Sequence, residues 1–249
     1  MSESLLRLFK ADLHIHTCLS PCTELDMSPK RILSSAAKKG IDILGICDHN
    51  STENSLAVKK AAKNTNITVL PGMEVTSEEE VHVLALFDEI RNALKLQESV
   101  YANLAGTNDE EAFGMQVKVN HKEEVIGFNE KLLIGATTIP LEEVIRLIHS
   151  FDGLAIASHI DRETFSIFGQ LGFIPEDIGL DALEISPNVG FKEARERYKT
   201  PYPITSSSDA HYPDDIGKSF TNFLIEEGTA AEIKKALKNE DGRKVVSNG

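Results

Sequence analysis

The sequence contains no tryptophan, and aromatic residues make up 6% of its 249 positions, so it offers few flat side chains on which unpaired bases could stack. Its three cysteines, Cys18, Cys22 and Cys47, are too few and too clustered for a disulfide framework; metal binding or simple burial suits them better. No apolar run approaches the ~20 residues needed to cross a bilayer. The opening stretch MSESLLRLFKADLHIH lacks the basic start, long apolar region and small-residue cleavage site of a secretory signal, and a cytoplasmic location is expected. Positive charge is also scarce: 26 basic residues stand against 39 acidic ones, for a net charge of -13. No broad basic surface is expected, and therefore neither duplex DNA nor an anionic membrane as partner. A small anionic substrate fits only if its site supplies positive charge of its own. Nothing in the composition sets the oligomeric state.

Hydrophobic residues at 41% and charged residues at 26% are ordinary for a globular chain of this length, which suits one domain over residues 1–249. Short apolar segments alternate with helical patterns, and this strand-then-helix rhythm favours a mostly parallel sheet. Strands are expected over 11–17, 41–47, 67–71, 81–87, 154–158, 182–186 and 204–208. The first helix is marked by Ser28 as N-cap, Pro29 in the first turn, an apolar face of Ile32, Leu33 and Ala36, and Gly40 as stop. A second begins at Pro140, with Leu141, Val144, Ile145 and Ile148 on one face before Gly153. Residues from about 89 to 139 depart from the rhythm and read as an insertion of a helix followed by a hairpin over VKVNHKEEVIGFN. Near the end, short strands at 222–225 and 244–247 flank a helix led by Thr229. So many strand-helix units indicate a closed or nearly closed barrel.

Six of the eight histidines fall in or just beyond an expected strand, in the contexts DLHIHT (12–17), CDH (47–49), VHV (81–83), SHI (158–160) and SDAH (208–211). In a barrel the carboxyl ends of the strands converge on one face, which carries the site. Period-two geometry sends Asp12, His14 and His16 to the same side of their strand, and joins Asp209 to His211. Glu74 adds a carboxylate able to bridge two cations, and such mixed nitrogen and oxygen donors suit Zn, Mn or Fe. A single histidine beside an apolar strand is ordinarily a hydrogen-bonded core residue. Several imidazoles and carboxylates buried together would instead bear a large desolvation cost unless a metal gave every lone pair a partner.

Taken in order, DLHIHT followed by SP, CDHN, GMEVTS with VHVLAL, ASHI and SSDAH resemble the PHP family, named for polymerases and histidinol phosphatases. The resemblance covers nearly the whole chain. It implies an α/β fold, a distorted (β/α)7 TIM-like barrel, holding two or three divalent metal ions. By the same resemblance His14, His16, Glu74 and Asp209 would bind the first cation, with Glu74 bridging to a second held by His82 and His159. His49 and His211 would hold a third. Where the family commonly adds a histidine or aspartate to that third site this sequence reads SPC, which makes Cys22 the nearest candidate. A rival reading takes Cys18, Cys22, Cys47 and His49 as a structural zinc site, although the spacings are poor for one. Asp12 and Asp48 are expected to orient ligand histidines.

Three dications, less the charges of Glu74, Asp209 and a Cys22 thiolate, would leave a local excess of about +3. That charge favours hydrolysis of a phosphate ester by metal-activated hydroxide. Glu74 and Asp209 would organise the chemistry, and Arg162 would grip phosphate through its planar guanidinium. Asp161 and Asp214 are unspecific candidates for proton transfer, and His121 and His149 are excluded from the site. The expected substrate is a small phosphomonoester or a nucleotide or short oligonucleotide phosphodiester. Histidinol phosphatase, protein tyrosine phosphatase and exonuclease activities would all leave the same metal motifs. A non-catalytic metal-binding barrel serving as an interaction or stability module is the alternative of another class. Its mark would be lost ligand positions, and those for the first two cations are complete.

Overall fold

The expected alternation of strands and helices is realised in a computed structural model that describes residues 5–246; Ser247, the last residue of the expected final strand, and the first four residues of the opening stretch lie outside the described residues. The main sheet is built from β1 (Arg7–Ile15), β2 (Ile43–Ile46), β3 (Thr68–Thr76) and β4 (His82–Leu86), then, past a separate hairpin of β5 (Val117–Val119) and β6 (Val125–Phe128), from β7 (Leu154–Ala157), β8 (Ala182–Ile185), β9 (Ile204–Ser206), β10 (Thr221–Ile225) and β11 (Lys244–Val246). Its spatial order is β11-β10-β1-β2-β3-β4-β7-β8-β9. The seven strands expected from the sequence are β1 to β4 and β7 to β9, and they curl into the TIM-like half-barrel.

Pairing is parallel along β1-β2-β3 and along β7-β8-β9. Strand β4 runs antiparallel to both its neighbours, as β10 does between β1 and β11. Residues 77–81 are too few for a crossover, which takes a dozen or more, so the chain turns back in a hairpin closed by Ser77 N to Val81 O at 3.0 Å. The two free edges of the curl meet where the chain after β9 passes β1. Ala210 bridges Ile15 in parallel, with His16 N donating to Ala210 O at 3.0 Å and Ala210 N to His14 O at 3.2 Å.

Helices α1 (Pro29–Lys38) and α2 (Ser55–Ala61) cover the outside of β1 to β3; α3 (Ile90–Ala102), α5 (Leu141–Ser150), α6 (Ile167–Leu171) and α7 (Phe191–Tyr198) cover the other half, and α4 (Glu110–Phe113) is a single turn before the hairpin. Inside the curl, Leu13, Cys47, Leu70, Leu84, Leu86, Leu154 and Ile156 pack together, and α8 (Ala230–Leu237) closes the lower end with Ile233 and Ala236. β1 leans so closely on β2 that a Cβ at Gly45 would fall 2.2 Å from the Leu13 carbonyl oxygen. No described helix is long and apolar enough to cross a membrane.

Helix α1 starts at Pro29 after Ser28, as expected, but the Ser28 side chain does not cap it. Ser28 Oγ donates to Glu123 Oε1 at 2.6 Å, and the same oxygen accepts from Lys30 N at 3.1 Å. A carboxylate from the β5-β6 turn thus satisfies the exposed donors and the positive end of the helix, which sequence order could not show.

Candidate metal centre

The strand directions bring every proposed ligand to one mouth of the curl. His14 and His16 end β1, His49 follows β2, Glu74 lies near the end of β3, His159 follows β7, and Asp209 and His211 follow β9. Because β4 runs backwards, its first residue, His82, arrives at the same mouth. All are buried except Cys22, which is exposed on the loop after β1, and His211, which lies at the edge. His159 and Asp209 hold φ of 27° and 49°, a left-handed backbone that costs energy outside glycine and is typical of functional sites. Asp12 does not join them. β1 breaks register between Asp12 and Ile15, which cancels the expected parity. Its carboxylate instead accepts from Ser208 N at 2.9 Å, Ser208 Oγ at 2.6 Å and Gly217 N at 2.7 Å, fixing the segment that carries Asp209.

Hydrogen bonds on the outer nitrogens decide which imidazole atoms face the centre. His14 Nδ1 lies 2.9 Å from Glu184 Oε1, which can only accept while ionised. Ser20 Oγ gives its hydrogen to Asp48 Oδ1 at 2.7 Å and so receives one from His16 Nδ1 at 2.9 Å. His211 Nδ1 donates to the Asp209 carbonyl oxygen at 2.8 Å. Neutral rings held this way present Nε2 as a bare acceptor.

Three such acceptors then face each other. His14 Nε2 and His16 Nε2 are 3.2 Å apart, and Asp209 Oδ1 is 3.2 and 3.1 Å from them. Glu74 completes the group at 3.4 Å from His14 Nε2 and 3.6 Å from His16 Nε2. Lone pairs at these separations repel unless a proton or a cation lies between them. Zinc bonds of about 2.0–2.2 Å put tetrahedral neighbours about 3.3–3.6 Å apart, so separations of this size suit donors that share one ion. Glu74 Oε1 also lies 3.0 Å from His82 Nδ1 and 3.2 Å from His159 Nε2, and Glu74 Oε2 lies 3.2 Å from His49 Nδ1. Yet Glu74 Oε1, His49 Nδ1, His82 Nδ1 and His159 Nδ1 are buried without a hydrogen bond. Unpaired lone pairs gathered in one place are what a set of cation ligands presents.

Charge in this cluster is shared unevenly. Burial raises the carboxyl of Glu74, but His82, His14 and His159 outweigh it and hold the group well below the usual range. Burial acts likewise on Asp209 and is overcome by His14 and His16. Among the imidazoles, burial disfavours the charged form of His14, yet Asp209, Glu74 and Glu184 pull it well above the usual range. His16 falls well below that range through burial and the neighbouring His211 and His49. The thiol of Cys22, raised by burial, is brought down to about 7 by His49 and His211.

Cys22 shares a space with His16, His49 and His211, one donor atom from each lying within 4.8 Å of the others. The rival zinc site of three cysteines and His49 is not formed. Cys18 Sγ turns to the Val117 carbonyl at 3.8 Å and Cys47 Sγ to the Leu13 carbonyl at 3.5 Å, both away from the cluster. Above the ligands is a cavity of about 160 Å³ whose wall includes Ile134, Arg162, Thr164 and Phe165. Arg162 reaches in, with a guanidinium nitrogen 2.5 Å from Asp209 Oδ2. Phe165 stacks on the His82 ring with centroids 4.7 Å apart, and its carbonyl accepts from His82 N at 2.9 Å.

Several neighbours escaped sequence reasoning. Glu184 is 1% exposed in the middle of β8 and holds His14; the one signal for it is a lone carboxylate inside an otherwise apolar strand. Asp48 was expected to orient a histidine, and it acts on His16 through Ser20. Asp161 binds Ser186 through both oxygens, to N at 2.7 Å and to Oγ at 2.6 Å. Asp214 is exposed outside the cavity wall. His121 is exposed in the hairpin turn, and His149 pairs with Asp181 at 2.8 Å.

Comparison with known proteins identifies the family. The PHP domain model matches residues 12–171, and the model described as PHP-associated matches 191–241. An uncharacterized protein of Bacillus subtilis, YqxK, is 25% identical over 96% of this chain and 64% of its own. The lesion-specific endonuclease Endonuclease Q of Pyrococcus furiosus superposes with a TM-score of 0.72 at 21% identity, covering 96% of this chain and 58% of that one. A protein of Bifidobacterium adolescentis assigned as a metal-dependent phosphoesterase gives 0.56 at 17% identity, over 92% of this chain and 96% of that one. The chain thus spans less than two thirds of the length of the Bacillus and Pyrococcus proteins.

One expectation is overturned here. Net charge argued against duplex DNA as partner, but Endonuclease Q has been solved with a 27-mer duplex substrate carrying an abasic lesion at its active site, on the same fold with a TM-score of 0.69. Net charge sums over the whole surface, whereas a strand of phosphates responds to the local field at the mouth it meets. The model over residues 12–171, together with the one over 191–241, places the chain in the PHP domain family.

Proposed function

We propose that the chain hydrolyses a phosphate ester at this mouth, with His14, His16, Glu74 and Asp209 holding a first cation, Glu74, His82 and His159 a second, and Cys22, His49 and His211 a third. Divalent zinc, manganese or iron there would acidify water and neutralise phosphoryl oxygens. The observation that carries the reading is the triangle of His14 Nε2, His16 Nε2 and Asp209 Oδ1, three acceptors 3.1–3.2 Å apart with their outer hydrogen bonds already fixed.

The chain's own groups give the site its selectivity. Arg162 now neutralises Asp209; once Asp209 binds a cation, the guanidinium is released to face phosphoryl oxygens, for which its fork is shaped. The cavity of about 160 Å³ is small and lined by the proposed ligands, which suits a phosphoryl group better than a whole nucleotide. The alcohol portion of the ester, whether a small molecule, a nucleotide or the end of an oligonucleotide, then lies on the rim outside. Ile134 and Phe165 keep bulk water from the enclosed part.

The test is elemental analysis of protein purified without chelator, followed by a screen of phosphomonoesters, phosphodiesters and nucleotides with Mn or Zn restored. His14→Ala and Asp209→Ala are expected to lose bound metal and reduce hydrolysis by at least ~10²-fold, while His149→Ala changes neither. Full activity in Asp209→Ala, or metal-loaded protein inert to every ester, would remove the proposal.

A further inference from the structure

We infer that Cys22 makes one corner of the cluster a zinc-selective site, which keeps zinc while the neighbouring nitrogen and oxygen sites exchange manganese or iron. This rests on the metal-loaded reading proposed above and narrows it to one side chain. The donor atoms of Cys22, His49 and His211 lie within 4.8 Å of one another, beside His16. His49 is 5% exposed and its Nδ1 has no hydrogen bond. His211 commits Nδ1 to the Asp209 carbonyl at 2.8 Å and turns Nε2 out as a bare acceptor. His16 is engaged elsewhere, since its Nε2 already faces His14 and Asp209 at 3.2 and 3.1 Å. Cys22 and His211 therefore face this corner together with His49, whose Nδ1 also meets Glu74 Oε2 at 3.2 Å and so links the corner to the neighbouring donors.

The donor sets beside it contain only nitrogen and oxygen: His14, His16 and Asp209 in one, His49, Glu74 and His82 in the other. Carboxylate and imidazole donors accept manganese and iron as well as zinc, whereas a soft thiolate favours zinc strongly over manganese. The other two cysteines cannot confuse the assignment, because both thiols are directed at backbone carbonyls outside the cluster.

The whole protein, stripped with chelator and reloaded with cobalt(II), is expected to show thiolate-to-cobalt charge-transfer absorption in the near ultraviolet, absent from Cys22→Ser and Cys22→His. After reloading with excess manganese and limiting zinc, the wild type should retain ~1 zinc ion per chain. Cys22→His, which restores a third nitrogen donor, should still take up metal but surrender zinc to manganese more readily than the wild type. Should either variant fail to fold, the cobalt spectrum of the wild type decides alone, since Cys22 is the cysteine in the cluster. Absence of the band from cobalt-loaded wild type, or equal zinc retention in wild type and Cys22→His, overturns the inference and leaves the phosphoesterase reading standing. A wild type that takes up no metal at all overturns both.

Discussion

At the scale of single residues, the buried carboxylate of Glu184 does the most without touching the cavity, because it sets which nitrogen of His14 faces the cluster. Outer hydrogen-bond partners of ligand histidines typically govern metal affinity by 10–100-fold. Glu184→Ala is therefore expected to weaken binding of the first cation by about that factor, with Glu184→Gln, which keeps an acceptor oxygen, falling between. Competition against a chromophoric chelator measures it, and unchanged affinity in Glu184→Ala would mean that His14 needs no such support. The histidines themselves were legible because each is placed at the end of an apolar run. Glu184 was not, since it meets His14 across 170 residues and nothing beside it in sequence titrates or ligates. Asp12 misled for a local reason: alternation along a strand predicts facing only while the pleat is regular, and β1 breaks its register directly after Asp12.

At the scale of elements, α8 and β11 are tied by one acidic residue. Glu232 accepts from Arg243 Nε at 2.9 Å, Lys235 Nζ at 2.8 Å and Glu226 N at 3.0 Å. Burial raises its carboxyl, but Arg243 and Lys235 prevail and bring it down to about 2 from an ordinary 4.5. A depressed carboxyl contributes stability that is fully present above the unfolded value and is lost as pH falls through the folded one. Glu232→Gln should accordingly be less stable than wild type by roughly 2 kcal/mol at neutral pH. The gap should close as pH is lowered from about 4.5 towards 2. Denaturant midpoints across that window read the effect, and a pH-independent gap would assign the loss to packing. Helix starts were readable from Ser28-Pro29 and Thr229, yet at α1 the working cap comes from Glu123, which is close only because the β5-β6 turn docks there. The strand positions were readable from apolar runs; the reversal of β4 followed from a five-residue connection whose significance appears once both strand ends are known.

Across the whole molecule, the metal cluster joins the two edges of the curl, since His14 and His16 come from β1 and Asp209 and His211 from the segment that closes against it. Ions binding there stabilise the folded chain by mass action, about 2.7 kcal/mol at a free concentration 100 times Kd. For a chain of this size that corresponds to a rise in Tm of roughly 5–10 °C. Adding chelator should reverse it in the wild type and change His14→Ala far less, as thermal unfolding followed by circular dichroism would record. Identical chelator responses in the two proteins would place the stabilising ion elsewhere. The overall architecture was legible because strand-helix alternation is a property of the entire chain, whereas partner chemistry was not: net charge is a single sum over the side chains, and cations proposed for the mouth do not enter it.

The short hairpin of β3 and β4 separates the ligands by when they can meet. Glu74 and His82 sit on adjoining strands in a fixed register, with Thr76 opposite His82, so they come together as soon as that local turn closes. His16 and Asp209 are 193 residues apart and must await the last strands. During synthesis the two donors on this hairpin are therefore free to meet before Asp209 and His211 have emerged.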